Sequence, residues 1–286
     1  THSNVMEKGE YRQACAEHGV ILVAPDTSPR GDDVPDAKDE YDFGKGAGFY
    51  VDASEEPWAK TYRMRSYIER ELPDLIAAEF PVDMQRQAIT GHSMGGHLVL
   101  RALIEKRVSP DAAVLSAPML GLVGMPAPLW LLGPTSKMLA GFGDPRRPAW
   151  KTSEKPGALP EDRGALLTHD VDRYEDELWW RNARPGVAMG PASWGWVAAA
   201  IRSMQMIEEK GAMEGVQTPV MLFGTSNDQL VAWSAIQNAA NRLPNAELVP
   251  FGKEAHHEIL REVDEVRGRA MSAITDFLDR KAPQRA

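Results

Sequence analysis

Alternating apolar runs and segments of helical periodicity predict an α/β protein with a mostly parallel sheet covered by helices on both faces. The apolar runs have the length and β-branched content of buried strands, and most precede a stretch with the 3.6-residue period of a helix. The length of 286 residues, 43% of them apolar, suffices for one sizeable core. We therefore expect a single domain over residues 1–286.

The N-terminal third contains a predicted helix, a predicted strand and a long loop. Helical periodicity over residues 6–18 stops at Gly19, a residue type that often follows a helix C-terminus. The apolar run at residues 20–24 predicts a buried strand. Residues 27–58 are rich in Asp, Gly and Pro and predict an irregular excursion, after which an amphipathic helix is expected over residues 59–80.

The rest of the chain repeats the pattern of a strand followed by a helix. Strands are predicted at residues 87–90, 113–115, 219–223 and 246–251, and helices at residues 194–210, 231–242 and 258–280, with one more that follows residues 91–97 and runs to about residue 106. Residues from about 118 to 196 mix Pro, Trp and charged residues without a strong strand signal. This stretch is predicted to be a cap inserted into the domain.

Charge and cysteine content exclude several classes of protein. Lys and Arg number 32 against 41 Asp and Glu, and the net charge of −9 does not build the basic field that binds nucleic acid or anionic membranes. The single cysteine, Cys15, excludes an intrachain disulfide framework and a Cys-rich zinc module. The low cysteine count and the lack of an N-terminal signal pattern together lead us to expect a cytoplasmic protein.

An uncharged stretch from residue 112 to residue 136 is long enough on paper to cross a bilayer. It contains four prolines, and a helix interrupted in this way would leave backbone groups unpaired in lipid: Pro118, Pro126, Pro128 and Pro134. We therefore expect an apolar flap over a core or a pocket, with no stable membrane insertion.

The candidate nucleophile is Ser93, in the sequence G-H-S-M-G at residues 91–95, which fits the pattern G-x-S-x-G. By chance the bare pattern arises roughly 0.1 times in a chain of this composition. Its place between a predicted strand and a predicted helix strengthens the interpretation as a nucleophile elbow. A turn of this kind strains the serine, exposes its hydroxyl and directs the N–H of Met94 at a developing oxyanion. A purely structural turn of small residues is the alternative.

A serine hydroxyl needs a base, and the base is oriented by a third group. Hydrolases with such an elbow carry serine, acid and histidine in that order, with the last two on loops after later strands. Asp228 and His257 occupy such positions. The pattern leaves three alternatives open: Asp228 as the N-cap of the next helix, the uncharged Asn227 as its rival, and His256 as the base.

No metal ion or cofactor is expected. The sequence H-H-E at residues 256–258 is not H-E-x-x-H, and adjacent side chains diverge. The glycine block at residues 44–48 lacks the K-[ST] of a phosphate loop. Of the other histidines, His92 and His97 flank the elbow and are expected to pack or hydrogen-bond locally, while His169 lacks a strand-end context.

Several long motifs in the first 97 residues are typical of one family. They are A-P-D-T-S-P-R-G at residues 24–31, D-F-G-K-G-A-G-F-Y-V-D-A at residues 42–53, E-L-P at residues 71–73 and G-H-S-M-G-G-H at residues 91–97. In these motifs the chain closely resembles S-formylglutathione hydrolase, of the esterase D family. The resemblance implies an α/β-hydrolase fold.

The motifs from about residue 91 to residue 286 are of a different type. They are L-S-A-P-M-L-G-L at residues 115–122, L-T-H-D at residues 167–170, G-P-A-S-W-G-W at residues 190–196, D-Q-L-V at residues 228–231 and A-H-H-E-I-L-R-E at residues 255–262. In them the chain resembles bacterial lysophospholipases and monoacylglycerol lipase-type hydrolases. The second histidine of the pair matches the base of that family, which implies His257 rather than His256.

Both families use G-H-S-M-G-G, so we interpret the chain as a hybrid that crosses over within the elbow, and we hypothesise a recombinant gene. The resemblance to the first family implies that, in that family, the stretch corresponding to residues before Thr1 forms early sheet strands and a loop with a second oxyanion donor. We expect both to be missing here. Three alternatives follow from this expectation: residues 1–4 take the place of the loop, the activity is weak, or a homo-oligomer fills the gap left by the missing strands and loop.

The leading expectation is a serine carboxylic ester hydrolase with the triad Ser93, Asp228 and His257 and the N–H of Met94 at the oxyanion. The Leu, Met and Trp content of the cap suggests a pocket for an acyl chain, so the expected partner is a small acyl-ester substrate. We expect short- to medium-chain esters or monoacylglycerols. An S-formylglutathione thioesterase and a catalytically weak, hydrolase-like scaffold are the alternatives.

Overall fold

The computed structural model describes residues 11–26, 28–29, 31–37, 44–46, 51–124, 129–145, 147–149, 163–183 and 192–283. The chain divides into two compact units. The first comprises residues 1–84 and 176–190, and the second comprises residues 85–175 and 191–286.

The first unit begins, within the described residues, with helix α1 at Tyr11–Glu17. Gly19 follows it with a φ of +62°, which confirms the predicted helix end. The strand predicted at residues 20–24 is wrong, because these described residues form no strand. The N–H of Val20 donates to the carbonyl of Cys15 at 2.8 Å and completes the helix C-cap, and the side chains of Val20 and Ile21 are about half exposed.

The predicted helix at residues 59–80 is shorter than expected. Its helical residues fall into three consecutive segments: Met64–Ser66, a π-helical turn at Tyr67–Glu71, and helix α2 at Leu72–Glu79. Pro73 is the second residue of α2, directly after the π-helical turn. The described residues of the predicted excursion at 27–58 are irregular apart from a 3₁₀ turn at Gly44–Gly46.

The second unit contains a four-stranded parallel sheet. Its strands, in both chain order and spatial order, are β1 at Ala88–His92, β2 at Ala112–Ser116, β3 at Val220–Thr225 and β4 at Ala246–Phe251. All three pairings are parallel. The predicted parallel sheet is confirmed, and the carboxyl ends of the four strands therefore lie along one edge.

The helices after β1 are described in chain order. They are α3 at Met94–Ile104, α4 at Leu129–Gly141, α5 at Arg163–Leu167, α6 at Val171–Ala183, α7 at Trp194–Glu208, α8 at Trp233–Arg242 and α9 at Asp264–Lys281. Helix α6 begins in the second unit and ends in the first. Two 3₁₀ turns lie at Met213–Gly215 and Ile259–Arg261.

Alternate residues of the central strands pack against helices on opposite faces of the sheet. On one face, Leu115 and Leu222 share a buried cluster with residues of α3, α7 and α8. On the other face, Val114 and Phe223 share a cluster with residues of α9, including Phe277. The prediction of helices on both faces is confirmed.

The uncharged stretch at residues 112–136 does not form one continuous element. It supplies strand β2 and, further along, the beginning of the 13-residue helix α4, inside which Pro134 lies. Pro126 and Pro128 lie outside the described residues. None of the described helices has the length and apolar character that crossing a bilayer requires. Between residues 118 and 193 the described residues form helices and isolated bridges but no strand, as expected from the sequence.

Candidate active site

Ser93 occupies a sharp turn between β1 and α3. Its backbone has a φ of 51° and a ψ of −116°, a conformation that costs a non-glycine residue about 1–3 kcal/mol. Hydrogen bonds hold it there: the N–H of Ser93 donates to the carbonyl of Ser116 at 2.9 Å, and the N–H of Met119 donates to the carbonyl of Ser93 at 3.0 Å. The end of β2 and the turn after it therefore keep the strained serine in place.

Two of the elbow glycines are required by close packing. A Cβ added to Gly91 would lie 2.4 Å from the carbonyl carbon of Gly95, and one added to Gly96 would lie 2.9 Å from Cβ of Pro118. Gly95 is different, because a Cβ there would meet nothing within 4 Å. The elbow therefore requires glycine at residues 91 and 96 but not at residue 95.

Met94 is the first residue of α3 and places its backbone N–H at the helix N-terminus. The first N–H groups of a helix have no carbonyl partner within the helix, and the helix dipole makes this end favourable for negative charge. The N–H of Met94 is therefore suited to stabilise an anion that forms next to Ser93.

Asp228 and His257, which are 29 residues apart, form a buried hydrogen-bonded pair. Nδ1 of His257 lies 2.8 Å from Oδ2 of Asp228, and the two side chains are 4% and 0% exposed. Because an ionised carboxylate only accepts hydrogen bonds, the neutral form of this imidazole has its proton on Nδ1 and a lone pair on Nε2. This is the tautomer that a general base needs.

The second carboxylate oxygen of Asp228 holds the turn of its own loop. Oδ1 accepts the N–H groups of Leu230 and Val231 at 2.8 and 2.9 Å. The helix that follows begins at Trp233 with Ala232 as its N-cap, so Asp228 is not the N-cap of α8. Burial raises the pKa of Asp228, but the hydrogen bonds from His257, Val231 and Leu230 outweigh it, and the pKa lies below its ordinary value.

The elbow and the pair lie at the same sheet edge. Ser93 follows β1 directly, whereas Asp228 and His257 follow β3 and β4. The ring of His92 lies beside the ring of His257, with a centroid distance of 4.7 Å and an interplanar angle of 57°. His257 is thus adjacent to the residue that precedes Ser93.

Two loops carry the pair, and neighbouring segments hold each of them. The acid loop, residues 226–232, pairs with residues 121–123: the N–H of Ala232 donates to Gly121 at 2.9 Å, and the N–H of Val123 donates to Leu230 at 3.0 Å. The base loop, residues 255–262, is tied to β3 by the hydroxyl of Thr225, which lies 3.0 Å from the carbonyl oxygen of Ala255.

The rival residues have other partners. The amide nitrogen of Asn227 lies 3.4 Å from Nδ1 of His256, so this pair is displaced from the Asp228–His257 contact. His97 hydrogen-bonds locally, as expected: Nδ1 lies 2.9 Å from the carbonyl oxygen of Met119, and Nε2 lies 2.7 Å from the hydroxyl of Ser203.

Sequence reasoning missed a second group beside the base loop. The fully buried carboxylate of Glu262 contacts both His169 and His256. His169 and Glu262 lie in two motifs quoted for the lipase-type resemblance, and that is the signal that could have paired them. Their separation of 93 residues gives no spacing rule that joins them.

The described residues contain no group of three or more His, Cys, Asp or Glu side chains that could hold a metal ion. The carboxylates and imidazoles at this edge are instead arranged in hydrogen-bonded pairs. The arrangement suits proton transfer and the stabilisation of an oxyanion.

Comparison with known proteins relates this chain to esterases. The family model Esterase, described as "Putative esterase", matches residues 1–202. S-formylglutathione hydrolase of Mus musculus is 38% identical over 184 residues, which make up 64% of this chain and 63% of that protein. The chain thus spans less than two thirds of the length of this relative.

Two solved structures show the fold. An S-formylglutathione hydrolase from Agrobacterium tumefaciens has a TM-score of 0.53 and 27% identity, over 99% of this chain and 80% of that one. A monoglyceride lipase from Saccharomyces cerevisiae has a TM-score of 0.55 and 16% identity, over 78% of this chain and 69% of that one.

These findings confirm the predicted α/β-hydrolase fold and the resemblance to S-formylglutathione hydrolases, and they match the lipase-type resemblance at the level of the fold. With a strained serine at a strand–helix turn and a family model that covers most of its length, this chain belongs to the esterase family.

Proposed function

We propose that the protein is a serine carboxylic ester hydrolase in which Ser93 is the nucleophile, His257 the general base and Asp228 the group that orients the base. The N–H of Met94 supplies one donor to the oxyanion. The observation that carries the proposal is the buried hydrogen bond of 2.8 Å between Asp228 and His257 at the sheet edge that carries the serine elbow. A buried acid–imidazole pair with this tautomer is what a serine hydroxyl needs for activation.

The reaction proceeds through an acyl-enzyme. Nε2 of His257 takes the proton from Oγ of Ser93 as the hydroxyl oxygen attacks the ester carbonyl, and Asp228 stabilises the imidazolium that forms. The N–H of Met94 donates to the oxyanion of the tetrahedral intermediate. The imidazolium then protonates the leaving alcohol, and a water molecule activated by the same base releases the acid.

The substrate class is proposed from the segment predicted as a cap, residues 118–196. Its described residues border both loops of the site: residues 121–123 pair with the acid loop, and the N–H of Glu258 in the base loop donates to Leu167 at 2.8 Å. Helix α4 and the residue after it present large apolar side chains to solvent, with Trp130 72% and Phe142 80% exposed. Such a border suits an acyl chain, so we propose short- to medium-chain esters or monoacylglycerols as substrates.

A thioesterase is the second candidate. The relative from Mus musculus, at 38% identity, is an S-formylglutathione hydrolase. An acyl-enzyme mechanism with Ser93 serves a thioester as well as an oxygen ester, because only the leaving group differs.

One experiment separates these candidates. The purified protein and its Ser93→Ala variant are compared on p-nitrophenyl butyrate, p-nitrophenyl decanoate and S-formylglutathione. We expect hydrolysis of the p-nitrophenyl esters and a loss of kcat of about 10⁶-fold in the variant, down to its background rate. A preference for the thioester would favour the second candidate. Equal rates for the two proteins on all substrates would contradict serine catalysis and leave a hydrolase-like scaffold.

A further inference from the structure

Glu262 is a buried carboxylate in the base loop that the catalytic cycle does not use. Its side chain is 0% exposed. We propose that Glu262, through His169 and the backbone of His256, is the positioning residue that fixes the His257 imidazole. The inference rests on the proposed function, since it assumes that His257 is the base.

The carboxylate of Glu262 accepts hydrogen bonds on both oxygens. Oε1 lies 2.7 Å from the backbone nitrogen of His256 and 2.9 Å from Nδ1 of His169. Oε2 lies 3.1 Å from the backbone nitrogen of His169 and 3.3 Å from that of Val263. Hydrogen bonds to an ionised acceptor are about twice as strong as neutral ones, so this carboxylate joins two distant segments firmly.

The two segments are joined at further points. The hydroxyl of Thr168 donates to the carbonyl of Arg261 at 2.8 Å, and the N–H of Glu258 donates to Leu167 at 2.8 Å. The rings of His169 and His256 are stacked, with centroids 3.9 Å apart and an angle of 31° between their planes. Residues 167–169 are therefore hydrogen-bonded to the base loop at residues 258, 261 and 262. Glu262 also accepts the backbone N–H of His256, so it connects both ends of this contact.

The charged groups around Glu262 have partners of their own. Arg173 donates to the backbone carbonyl of Glu262 and forms ion pairs with Asp170 and Asp264. Arg261 forms an ion pair with Glu258. The carboxylate oxygens of Glu262 are thus directed at the two histidine-bearing segments, which is the geometry expected of an anchor for the loop.

The anchor acts one residue away from the base. Glu262 holds the backbone N–H of His256, and the next residue carries the imidazole that contacts Asp228. A shift of about 1 Å in a group that takes part in the chemistry can cost about a hundredfold in rate. Loss of the carboxylate is therefore expected to lower kcat without removing any group that touches the substrate.

The test uses the full chain and two variants, Glu262→Gln and His169→Ala, with Glu247→Gln as the matched control. Glu247 is a hydrogen-bonded carboxylate as well, paired with Arg280 and Lys281, and it lies in β4 away from the site. Steady-state kinetics on p-nitrophenyl butyrate separates kcat from KM, and NMR follows the His257 Nδ1 proton that is bonded to Asp228. Circular dichroism reports whether each variant is folded.

For Glu262→Gln we expect kcat to fall by about a hundredfold with KM unchanged, together with a broadened or shifted His257 Nδ1 resonance. His169→Ala should move both readouts in the same direction. A third protein that combines Glu262→Gln with His169→Ala should be no slower than Glu262→Gln alone, because both changes act on one anchor. The control should match the wild type. Should Glu262→Gln fail to fold, His169→Ala, whose side chain is 40% exposed, carries the test.

Wild-type kcat and an unchanged Nδ1 resonance in the folded variants would overturn the inference, and so would an effect confined to KM. Failure of the proposed function has a different signature, namely a wild-type protein no faster than Ser93→Ala. The NMR readout does not depend on turnover, so it decides whether Glu262 positions the imidazole even in that case.

Discussion

The carboxylate of Asp228 holds two structures at once, since one oxygen orients His257 and the other closes the turn at residues 230–231. This division explains why an N-cap role was a reasonable alternative from sequence. The side chain does accept backbone N–H groups, as an N-cap would, but it does so in a turn that precedes α8. A single side chain thus links the fold of the acid loop to the position of the His257 imidazole.

Asp228→Asn is expected to lower kcat by about 10⁴-fold. The amide would present an N–H₂ group to Nδ1 and favour the tautomer in which Nε2, not Nδ1, is protonated. Initial rates on p-nitrophenyl butyrate measure the loss. Asn227→Ala is the neighbouring control and is expected to retain nearly full activity, because Asn227 faces His256. A loss of less than tenfold in Asp228→Asn would contradict the assigned role.

The lowered pKa of Asp228 also predicts a pH dependence of stability. The ionised form is favoured in the folded state, so its contribution is fully present above the unfolded pKa of about 3.9 and is lost as pH falls through the lower folded pKa. Urea unfolding of the wild type and Asp228→Asn at pH 7, 5 and 3 measures it. The wild type should keep its advantage at pH 7 and 5 and lose part of it at pH 3. An advantage that disappears between pH 7 and 5 would contradict the shift.

At the scale of residues, the sequence predicts local backbone geometry where a motif is specific to one kind of turn. G-x-S-x-G requires a strand–turn–helix, and the structure has Ser93 in that turn with a positive φ. Residues 227–228 and 256–257 each offered adjacent candidates that spacing does not separate. The lipase-type motif favours His257, and the tertiary contacts pair Asp228 with His257 and Asn227 with His256. Glu262 could not be recognised as an anchor, because its partner His169 lies 93 residues away on a segment with no strand signal.

At the scale of elements, the elbow depends on the space around its glycines. Gly91→Ala is expected to destabilise the protein by about 1–3 kcal/mol or more, since the new Cβ would lie 2.4 Å from backbone atoms of α3. Gly95→Ala adds the same methyl group where nothing lies within 4 Å, and in a helix Ala is favoured over Gly by about 1 kcal/mol.

Urea denaturation of both glycine variants tests this contrast. The free energy of unfolding should fall for Gly91→Ala and should stay equal or rise for Gly95→Ala. Equal losses for the two variants would show that the packing of the elbow differs from the one described.

Among the elements, those of the sheet were predicted most accurately. Strand β4 has the predicted bounds, and β3 begins one residue after its predicted start and ends two residues after its predicted end. Helix α8 begins at Trp233 rather than at residue 231, because Asp228 holds residues 230–231 in a turn. Buried parallel strands are continuous apolar runs, so they are visible in the sequence, whereas helix starts depend on side-chain hydrogen bonds that are not.

At the scale of the whole molecule, the sequence relatives and the structural neighbours describe different aspects of the chain. The sequence match to S-formylglutathione hydrolase covers 64% of the chain, and the likeness to the monoglyceride lipase, at 16% identity, is one of fold. A hybrid of the two families accounts for both, and the crossover within the elbow and a recombinant gene stay hypotheses that the sequence of the source locus tests. In the second unit, β1 is an edge strand of the described sheet, with Ala88, Thr90 and His92 exposed.

Residues 20–24, where the predicted strand does not form, are expected to differ from the central strands in amide hydrogen exchange. Residues 112–116 and 220–225 are buried and paired on both sides, so their amide hydrogens are expected to exchange only on global unfolding. Residues 20–24 have strand-like composition, but they form no strand, and three of their side chains are exposed. Their amides beyond the capping N–H of Val20 should therefore exchange within minutes.

Hydrogen–deuterium exchange with mass spectrometry, resolved by peptide at neutral pH, measures this difference directly. The peptide over 112–116 serves as the internal reference for full protection. Since apolar residues gain protection only when neighbouring backbone groups pair with them, fast exchange at 20–24 would confirm that β-branched composition alone does not make a strand. Protection of 20–24 equal to that of β2 would mean that this run pairs with another strand in solution and that the strand predicted from the sequence does form.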